Sequence, residues 1–362
     1  MDSKVFEKRT SIMELLSGKR IILVTHLKDI DGVSSAAIAV SSLSPEKVIF
    51  SDYGRVPALE LLKDFPGSQK GMAIIFTDIS LSEDASDVYK ELFGKLKSDG
   101  DIIIWLDHHP TQEKAVHVLQ DFADFAVAGE QNMCGAELLY EEIIKPLGLS
   151  STKIETIKEM AHISDFNISG TPFDEKLRKA TKAISSYLDD RTGIQEGLLR
   201  ISKAIENDPN NFDRDSFVSE RAEIYERAQK RLKDELANNT YIVGNDIVKA
   251  IVGFNTAGSL QSNDGCYFLL ELDKARNGNA NTAIYVKVKL GTCHIRVSNK
   301  SIDTLLLAQA LNGNGHPAAS AFPIPKDFVI DSKEGMRKFA DFIDGKIKEI
   351  YKTEDRAEKT KV

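Results

Sequence analysis

The chain has 362 residues, of which 42% are hydrophobic and 28% are charged, and these fractions are typical of an ordinary globular protein. Its length predicts two domains, each with enough chain to bury a core. The formal net charge of −8 excludes a general attraction of nucleic acid to the surface. It does not exclude a phosphate substrate, because a site rich in carboxylates needs cations to neutralise it.

The cysteines and the apolar runs predict the cellular compartment. Cys134, Cys266 and Cys293 have no paired spacing, which is typical of reduced thiols. The charged N-terminus does not resemble a signal peptide, and no apolar run approaches the ~18 residues of a membrane helix. We therefore expect a soluble, cytoplasmic protein without a membrane partner.

The first 130 residues alternate between short apolar runs and helical patterns. The predicted strands are 21–25, 47–52, 73–77, 102–106 and 122–127, and helical stretches such as 33–40 and 82–96 separate most of them. Alternation of this kind predicts an α/β fold whose mostly parallel sheet carries helices on both faces. Because the pattern becomes helical from about 134 to 188, we assign residues 1–189 to this first domain.

The remaining chain predicts a connector and a second domain. A helix that begins near Asp215 or Ser216 marks residues 190–240 as a helical connector, which acts either as a hinge or as a plain packing helix. Residues 241–351 predict a smaller α/β domain, and residues 352–362 a charged tail. The predicted strands of this second domain are 247–254, 266–272, 283–290 and 294–298, and its predicted helices are 304–311 and 333–350.

The triplet Asp107-His108-His109 directly follows the predicted strand 102–106. Ligands of open α/β sheets bind at the carboxyl ends of the strands, which is where this triplet would lie. Carboxylate and imidazole groups are ligands for hard or borderline divalent cations. The triplet therefore predicts a metal site, if other strands supply partners.

Partners follow the first and third predicted strands. His26, Asp29 and Asp31 share one strand-to-helix loop, in which Gly32 permits a tight turn. Carboxylates clustered in this way repel one another unless a cation lies between them. A single Asp, including Asp78 after the third strand, would more often cap a helix, and the same alternative holds for Asp165.

Taken together, the candidates favour a cation site over capping. The candidate metal ligands are His26, Asp29, Asp31, Asp78, His108 and Asp165. They suffice for two divalent ions if one carboxylate bridges, and two ions roughly 3.5–4 Å apart activate water and stabilise a phosphoryl displacement.

The order of these motifs, an H…D-x-D loop, a lone Asp, an Asp-His-His triplet and a later Asp, resembles the DHH phosphoesterase superfamily. This superfamily includes RecJ-type exonucleases, nanoRNase/pAp-phosphatase enzymes and cyclic-dinucleotide phosphodiesterases. The resemblance implies two ligand sets, which are His26, Asp29 and Asp78 for one metal and Asp31, Asp78, His108 and Asp165 for the other, with Asp78 bridging. His26 lies three residues before Asp29, whereas nanoRNase-like members usually space them by four.

The resemblance also implies roles within the triplet. His109 would meet the substrate phosphate, and Asp107 would orient an imidazole without binding a metal itself. The implied catalytic residues are Asp31, Asp78, His108 and His109.

The second domain carries a further resemblance. Residues 311–319, LNGNGHPAA, resemble the GGGH-x-x-AA motif of the DHH-associated domain, and Arg296-Val297-Ser298 resembles its Arg-Ser strand end. Glycines bring backbone N–H groups close to an anion, and His316, which we expect at a helix start, adds a donor. Arg296 could clamp a phosphate or stack on a base. The implied substrate-binding residues are His109, Arg296, Gly313, Asn314, Gly315 and His316.

Two departures from the motif concern this same segment. Asn314 replaces the middle glycine, and Ser320 stands where the family usually has Gly. On its own, a Gly-x-Gly turn is equally typical of an ordinary loop.

The resemblance implies a metal-dependent phosphodiesterase or exonuclease that acts on single-stranded RNA or DNA or on short oligonucleotides. It implies two Mn²⁺ ions, with Mg²⁺ or Co²⁺ as alternatives. Two other functions remain open: hydrolysis of a cyclic dinucleotide or pAp at the same site, and a replisome scaffold, whose metal ligands would have been lost. The sequence is compatible with a homo-oligomer.

Overall fold

The chain divides into two compact units, residues 1–225 and 226–362. The computed structural model describes residues 4–7, 11–65, 70–188, 192–258, 260–298 and 301–352. The division lies within the predicted connector 190–240, and the finer subdivision of the chain stays a prediction. Residues 189–191, where the first predicted domain meets the connector, and residues 353–362 of the predicted tail lie outside the described residues.

The first unit is built on a sheet with five parallel strands. In chain order, its strands are β1 (Lys4–Glu7), β2 (Ile21–His26), β3 (Lys47–Ser51), β4 (Ala73–Thr77), β5 (Ile102–Asp107) and β6 (Phe125–Ala128). They lie in the order β1-β6-β5-β4-β2-β3, and only the β1–β6 pair is antiparallel. The predicted mostly parallel sheet is therefore confirmed.

Helices cover both faces of this sheet. They are α1 (Ile12–Leu16), α2 (Ile30–Ser42), α3 (Arg55–Asp64), α4 (Ser86–Ser98), α5 (Glu113–Phe122), α6 (Gly135–Leu139), α7 (Thr152–Asp165), α8 (Asp174–Ser185) and α9 (Ile194–Asn207). The next helix, α10 (Ser216–Asn238), begins in the first unit and ends in the second. A π-helical turn, Tyr140–Ile144, continues α6. The predicted strand 122–127 starts too early, because Phe122 is the last residue of α5.

Alternate strand residues enter two separate cores. Ile22 and Val24 of β2 pack in the core that includes residues of α3, α4 and α5, whereas Leu23 packs in the core that includes residues of α2, α7 and α9. This alternation is the reason why the strands read as continuous apolar runs, since both of their faces are covered.

Helix α2 is buried on all sides over most of its length. Ser34, Ser35, Ala36 and Ala37 have no exposed surface, and the helix packs against α7 and α9 as well as β2. Small side chains allow this close approach, because a longer side chain on any face would meet a neighbouring element.

The edge strand β3 is covered by one side chain. Gln195 Oε1 accepts a hydrogen bond of 2.8 Å from the Phe50 N–H, and Gln195 Nε2 donates one of 2.6 Å to the Phe50 carbonyl. The amide thus satisfies both backbone groups that Phe50 presents at the open edge, where a free strand would otherwise invite pairing.

The second unit holds a smaller mixed sheet. Its strands are β7 (Thr240–Gly244), β8 (Lys249–Asn255), β9 (Thr282–Lys287), β10 (Thr292–Val297), β11 (Asn314–His316) and β12 (Ala319–Pro323). Their order is β11-β12-β10-β9-β8-β7, and only β8 and β9 pair in parallel. The helices are α11 (Ser262–Ala275), α12 (Leu305–Ala310) and α13 (Lys333–Ile350).

The predicted strand 266–272 is wrong, since these residues form part of α11. Gly265, Cys266, Leu269 and Asp273 are buried at helical spacing on one face of α11. Because β8 and β9 are parallel, the chain must cross over between them, and a helix is the usual crossover element. The apolar run therefore packs as a helix against the sheet.

Two remaining observations concern the cysteines and the apolar character of the helices. Cys134, Cys266 and Cys293 are all buried and unpaired with one another. Within the described parts of the chain, no helix combines the length and the apolar character that crossing a membrane requires.

Candidate metal centre

Three strand ends and one helix end bring the predicted ligands together. His26 is the last residue of β2, Asp78 follows β4, and His108 follows β5. The parallel register aligns these ends, since Thr25 pairs with Thr77 and Thr77 with Leu106. Asp165 is the last residue of α7. All six predicted ligands thus lie at the carboxyl edge of the first sheet.

One group contains His26, Asp29 and Asp78, whose candidate ligand atoms lie within 4.8 Å of one another. His26 Nδ1 is 2.7 Å from Asp29 Oδ2 and 3.6 Å from Asp78 Oδ2. Asp29 also caps α2, because its Oδ1 accepts a hydrogen bond from the Gly32 N–H. Asp29 therefore does cap a helix, as expected for a single Asp, while its second carboxylate oxygen lies next to His26.

A second group contains Asp31, His108 and Asp165, and a third contains Asp78, His108 and His109, each again within 4.8 Å. His108 Nε2 is 4.0 Å from Asp31 Oδ2, and His108 Nδ1 is 3.7 Å from Asp165 Oδ2. Asp78 of the first group has its Oδ1 3.3 Å from His108 Nε2 of the second group, and its Oδ2 is 3.6 Å from His26 Nδ1. One carboxylate therefore contacts both groups, as a bridging ligand would.

His109 pairs with Asp107 at the edge of these groups. His109 Nδ1 is 2.8 Å from Asp107 Oδ1, so Asp107 fixes the orientation of this imidazole. The centres of the His108 and His109 rings are 4.2 Å apart. The His109 side chain is 31% exposed, whereas those of Asp31 and Asp78 are 1% exposed. The cluster is therefore open to solvent on the His109 side.

Backbone geometry holds the two innermost carboxylates. Asp78 adopts a φ of 55°, a left-handed conformation that costs free energy for a residue other than Gly. Asp31 accepts hydrogen bonds of 2.6 and 2.8 Å from the N–H groups of Gly135 and Ala136 at the start of α6. A Cβ on Gly135 would lie 2.6 Å from the Asp78 Cβ and 3.0 Å from Asp31 Oδ2.

A close backbone approach explains why the turn after β2 contains Gly32. A Cβ at this position would lie only 2.1 Å from the His26 carbonyl oxygen, although the φ of Gly32 is not positive. Gly32 is thus required because α2 begins so close to the end of β2.

The cluster carries excess negative charge. Burial, together with Asp78 and Asp29, raises the pKa of Asp31, and burial is also the main cause of the raised pKa values of Asp107 and Asp165. Burial opposes charge on His26, but Asp29, Asp52 and Asp78 outweigh it and raise the His26 pKa to about 12. Such shifts show a site that favours bound positive charge.

Charged neighbours also outweigh the effect of burial on the pKa values of His108 and Asp78. Burial lowers the affinity of His108 for a proton, yet Asp78 and Asp31 outweigh burial and raise its pKa to about 9. Burial likewise disfavours the ionised form of Asp78, but its contacts with His108 and His26 lower its pKa overall. Protons on the imidazoles thus balance carboxylate charge that a divalent cation could balance instead.

Buried polar atoms without partners test whether cations fit here. His26 Nε2, Asp78 Oδ2 and His108 Nε2 are buried and form no hydrogen bond. Such atoms are costly unless an ion or water meets them. Since all three belong to the predicted ligand set, the donor set and its unsatisfied atoms fit divalent cations.

Sequence reasoning missed Asp52, Lys28 and Gly135. Asp52 directly follows β3, its Oδ1 is 3.5 Å from His26 Nε2, and its Oδ2 is 2.5 Å from Lys28 Nζ. The position of Asp52 after a strand was a usable signal, because the same rule identified Asp78. Gly135 carried no comparable signal, since its role depends on contacts with residues more than fifty positions away.

The predicted substrate residues of the second unit share one part of its sheet. Arg296 pairs with Ala319, which pairs in turn with His316, so Arg296 and His316 occupy one cross-strand row. Arg296 Nε donates a hydrogen bond to Asn263 Oδ1. The expected helix start at His316 is wrong, because residues 314–316 form β11, which pairs with β12 next to it.

Glycines explain the shape of this hairpin. Gly315 has a φ of 142°, and a Cβ there would lie 2.5 Å from the Ser320 Cα, while a Cβ on Gly313 would lie 2.1 Å from the Ala321 carbonyl oxygen. Backbone approach within the hairpin thus requires both glycines. Asn314 and His316 are exposed.

Comparison with known proteins gives structural likeness only. No protein-family model matches the sequence, and curated proteins give no significant match. The solved exonuclease RecJ bound to manganese has a TM-score of 0.51 and 16% identity, over 91% of this chain and 92% of that one. An uncharacterized protein from Helicobacter pylori G27 has a TM-score of 0.43 and 19% identity, over 91% of this chain and 99% of that one.

A further solved structure is the pGpG-specific phosphodiesterase PggH from Vibrio cholerae, with a TM-score of 0.47, 14% identity, and coverage of 91% of this chain and 100% of that one. At such identities, likeness establishes the fold, and the RecJ match alone exceeds a TM-score of 0.5 among these three. The chain therefore shares its fold with the solved exonuclease RecJ.

Proposed function

We propose that the protein is a metal-dependent phosphodiesterase that hydrolyses single-stranded nucleic acid or short oligonucleotides. The observation that carries this proposal is the placement of Asp78, which faces His26 with one carboxylate oxygen and His108 with the other. Two adjacent ligand groups with a shared carboxylate suit a pair of divalent cations. The likeness to RecJ, solved with manganese, supports both the reaction class and the choice of Mn²⁺.

In this proposal, His26, Asp29 and Asp78 hold one ion, and Asp31, Asp78, His108 and Asp165 hold the other. When bound, two such ions activate water as a nucleophile and offset the charge that develops on the phosphoryl group. The N–H groups of Gly135 and Ala136 fix the Asp31 carboxylate, so its free lone pairs point in a defined direction.

His109 is the residue that meets the substrate phosphate. Its Nδ1 is engaged by Asp107, so Nε2 is the nitrogen available to a ligand. Burial alone would lower the His109 pKa, but the contact with Asp107 outweighs burial and raises it. A protonated imidazole can donate from Nε2 to a phosphate oxygen or to the departing oxygen of the cleaved ester.

The test is product mapping with end-labelled RNA and DNA of several lengths in the presence of Mn²⁺, with a cyclic dinucleotide and pAp as further substrates. We expect Asp78→Asn to lower the cleavage rate by more than about 100-fold, since it removes the shared charge. Asn also tolerates the left-handed backbone at this position, so the fold should persist.

A matched control lies at the other end of β5. Asp101 is 3% exposed and accepts a hydrogen bond from the Met72 N–H, and Asp101→Asn keeps an oxygen for this bond. We expect Asp101→Asn to cleave at the wild-type rate. Cleavage by Asp78→Asn at the wild-type rate would refute the proposal. If the wild-type protein cleaves only the cyclic dinucleotide or pAp, its substrate is that compound and not single-stranded nucleic acid.

A further inference from the structure

Tyr53 lies beside the metal ligands although no motif singles it out. His26 at the end of β2 pairs with Ser51 at the end of β3, so Tyr53 comes two residues beyond the strand end. Gly54 follows with a φ of 97° and begins the turn into α3. This turn holds Tyr53 at the carboxyl edge of the sheet, next to the candidate metal centre.

The Tyr53 ring lies close to two imidazoles of the candidate metal centre, those of His26 and His109. Its centre is 4.9 Å from that of His26 and 5.7 Å from that of His109. Lys28 Nζ is 5.7 Å from the same ring centre. The ring therefore lies close to a predicted metal ligand, to the residue proposed to meet the phosphate and to the Lys28 ammonium group.

The exposure of this ring has no explanation in the packing of the first unit. Tyr53 is 41% exposed, while Tyr89 and Trp105 of the neighbouring core are 0% and 1% exposed. Among the described residues, no group forms a hydrogen bond with the Tyr53 hydroxyl. A large aromatic side chain that neither fills a core nor anchors its hydroxyl is free to receive a flat ligand.

We propose that Tyr53 stacks on the nucleobase next to the phosphate that is cleaved. The inference rests on the proposed function, because it places the base beside the ester at the metal centre. Aromatic rings bind bases of single strands by stacking, and they do so with little sequence preference, because every base has a π-face. Tyr53 therefore selects nucleotides over phosphodiesters that lack a base, without selecting among the four bases.

The experiment combines Tyr53 variants with substrates that lack one base. The substrates are an intact pentanucleotide and a series in which one nucleotide at a time is replaced by an abasic residue. Wild type, Tyr53→Ala and Tyr53→Phe are compared with saturating Mn²⁺. Loss of one stack corresponds to a roughly 5- to 150-fold lower kcat/KM, and for a contact made equally in the bound substrate and the transition state it appears in KM.

We expect Tyr53→Ala to show this loss on the intact pentanucleotide and Tyr53→Phe to remain near wild type. One abasic substrate should lower wild-type activity to the level of Tyr53→Ala, and on that substrate the two proteins should have equal kcat/KM. Leu149→Ala, which alters a side chain of similar exposure at 39%, is the control and should match wild type throughout.

Two results would overturn the proposal. Unchanged kcat/KM of Tyr53→Ala on the intact pentanucleotide excludes a stack at this ring. Equal losses on intact and abasic substrates, expressed in kcat, show that Tyr53 only positions His26 and His109. If the wild-type protein cleaves no oligonucleotide, this result refutes the proposed function before any variant is compared. The stacking role, which rests on that function, is then refuted as well.

Discussion

Substitution of Gly135 by Ala tests how tightly the centre is built. The added Cβ would lie 2.6 Å from the Asp78 Cβ and 3.0 Å from both Asp31 Oδ2 and the Asp78 nitrogen. Carbon atoms in contact need about 3.5–4.0 Å, so Asp78 or the start of α6 must move by about 1 Å. Overpacking of this kind costs about 1–3 kcal/mol, whereas the better helix propensity of Ala returns at most about 1 kcal/mol.

With the full gain in helix propensity subtracted, we expect Gly135→Ala to lower the free energy of unfolding by about 0–2 kcal/mol. A displacement of about 1 Å at reacting groups can cost about 100-fold in rate, and we expect a loss of this size in oligonucleotide cleavage. Urea unfolding and titration calorimetry with Mn²⁺ measure the stability and the metal affinity.

Gly94→Ala is the matched control in the same unit. Gly94 lies inside α4, and its added Cβ would meet only the Phe122 ring, at 3.9 Å. We expect this variant to be more stable than wild type by up to about 1 kcal/mol, with unchanged Mn²⁺ affinity. Wild-type stability and metal affinity in Gly135→Ala would refute the inference that the Gly135 contact sets the position of Asp78.

Two further predictions concern metal binding and the sheet edge. The raised pKa values of His108, about 9, and His26, about 12, mean that Mn²⁺ must displace protons, so its affinity should rise between pH 6 and pH 8. Calorimetry in buffers of different ionisation enthalpy counts the released protons, and a pH-independent affinity would contradict the prediction. Gln195→Ala leaves the Phe50 backbone groups unpaired and should lower the free energy of unfolding by about 1–3 kcal/mol. Urea unfolding measures this loss, and unchanged stability would show that water replaces the amide.

The sequence predicted what local pattern determines. Strands β2, β4 and β5 are short apolar runs, and polar residues at their ends are visible in the chain, so His26, Asp78 and His108 could be placed at one edge. Their mutual distances depend on register, which follows once the sheet is parallel. The proximity of these three side chains was predictable for this reason.

Features that depend on contacts between residues far apart in the chain could not be predicted from the sequence. The run 266–272 has β-prone residues, but the crossover between two parallel strands makes it a helix. His316 was expected at a helix start, yet its pairing with Ala319 across a tight hairpin makes it part of a strand. Tyr53 has no motif at all, and its relation to His26 appears only when β3 is placed beside β2.

Helix α2 carries Asp31 in its first turn and packs against α7, which ends in Asp165. The four residues from Ser34 to Ala37 are small and have no exposed surface, so a larger side chain there would push α2 away from the elements packed against it. An Ala36→Val substitution would therefore change metal affinity through the width of a helix–helix gap, without altering any ligand. The geometry of the candidate metal centre therefore also depends on residues that are not among the predicted ligands.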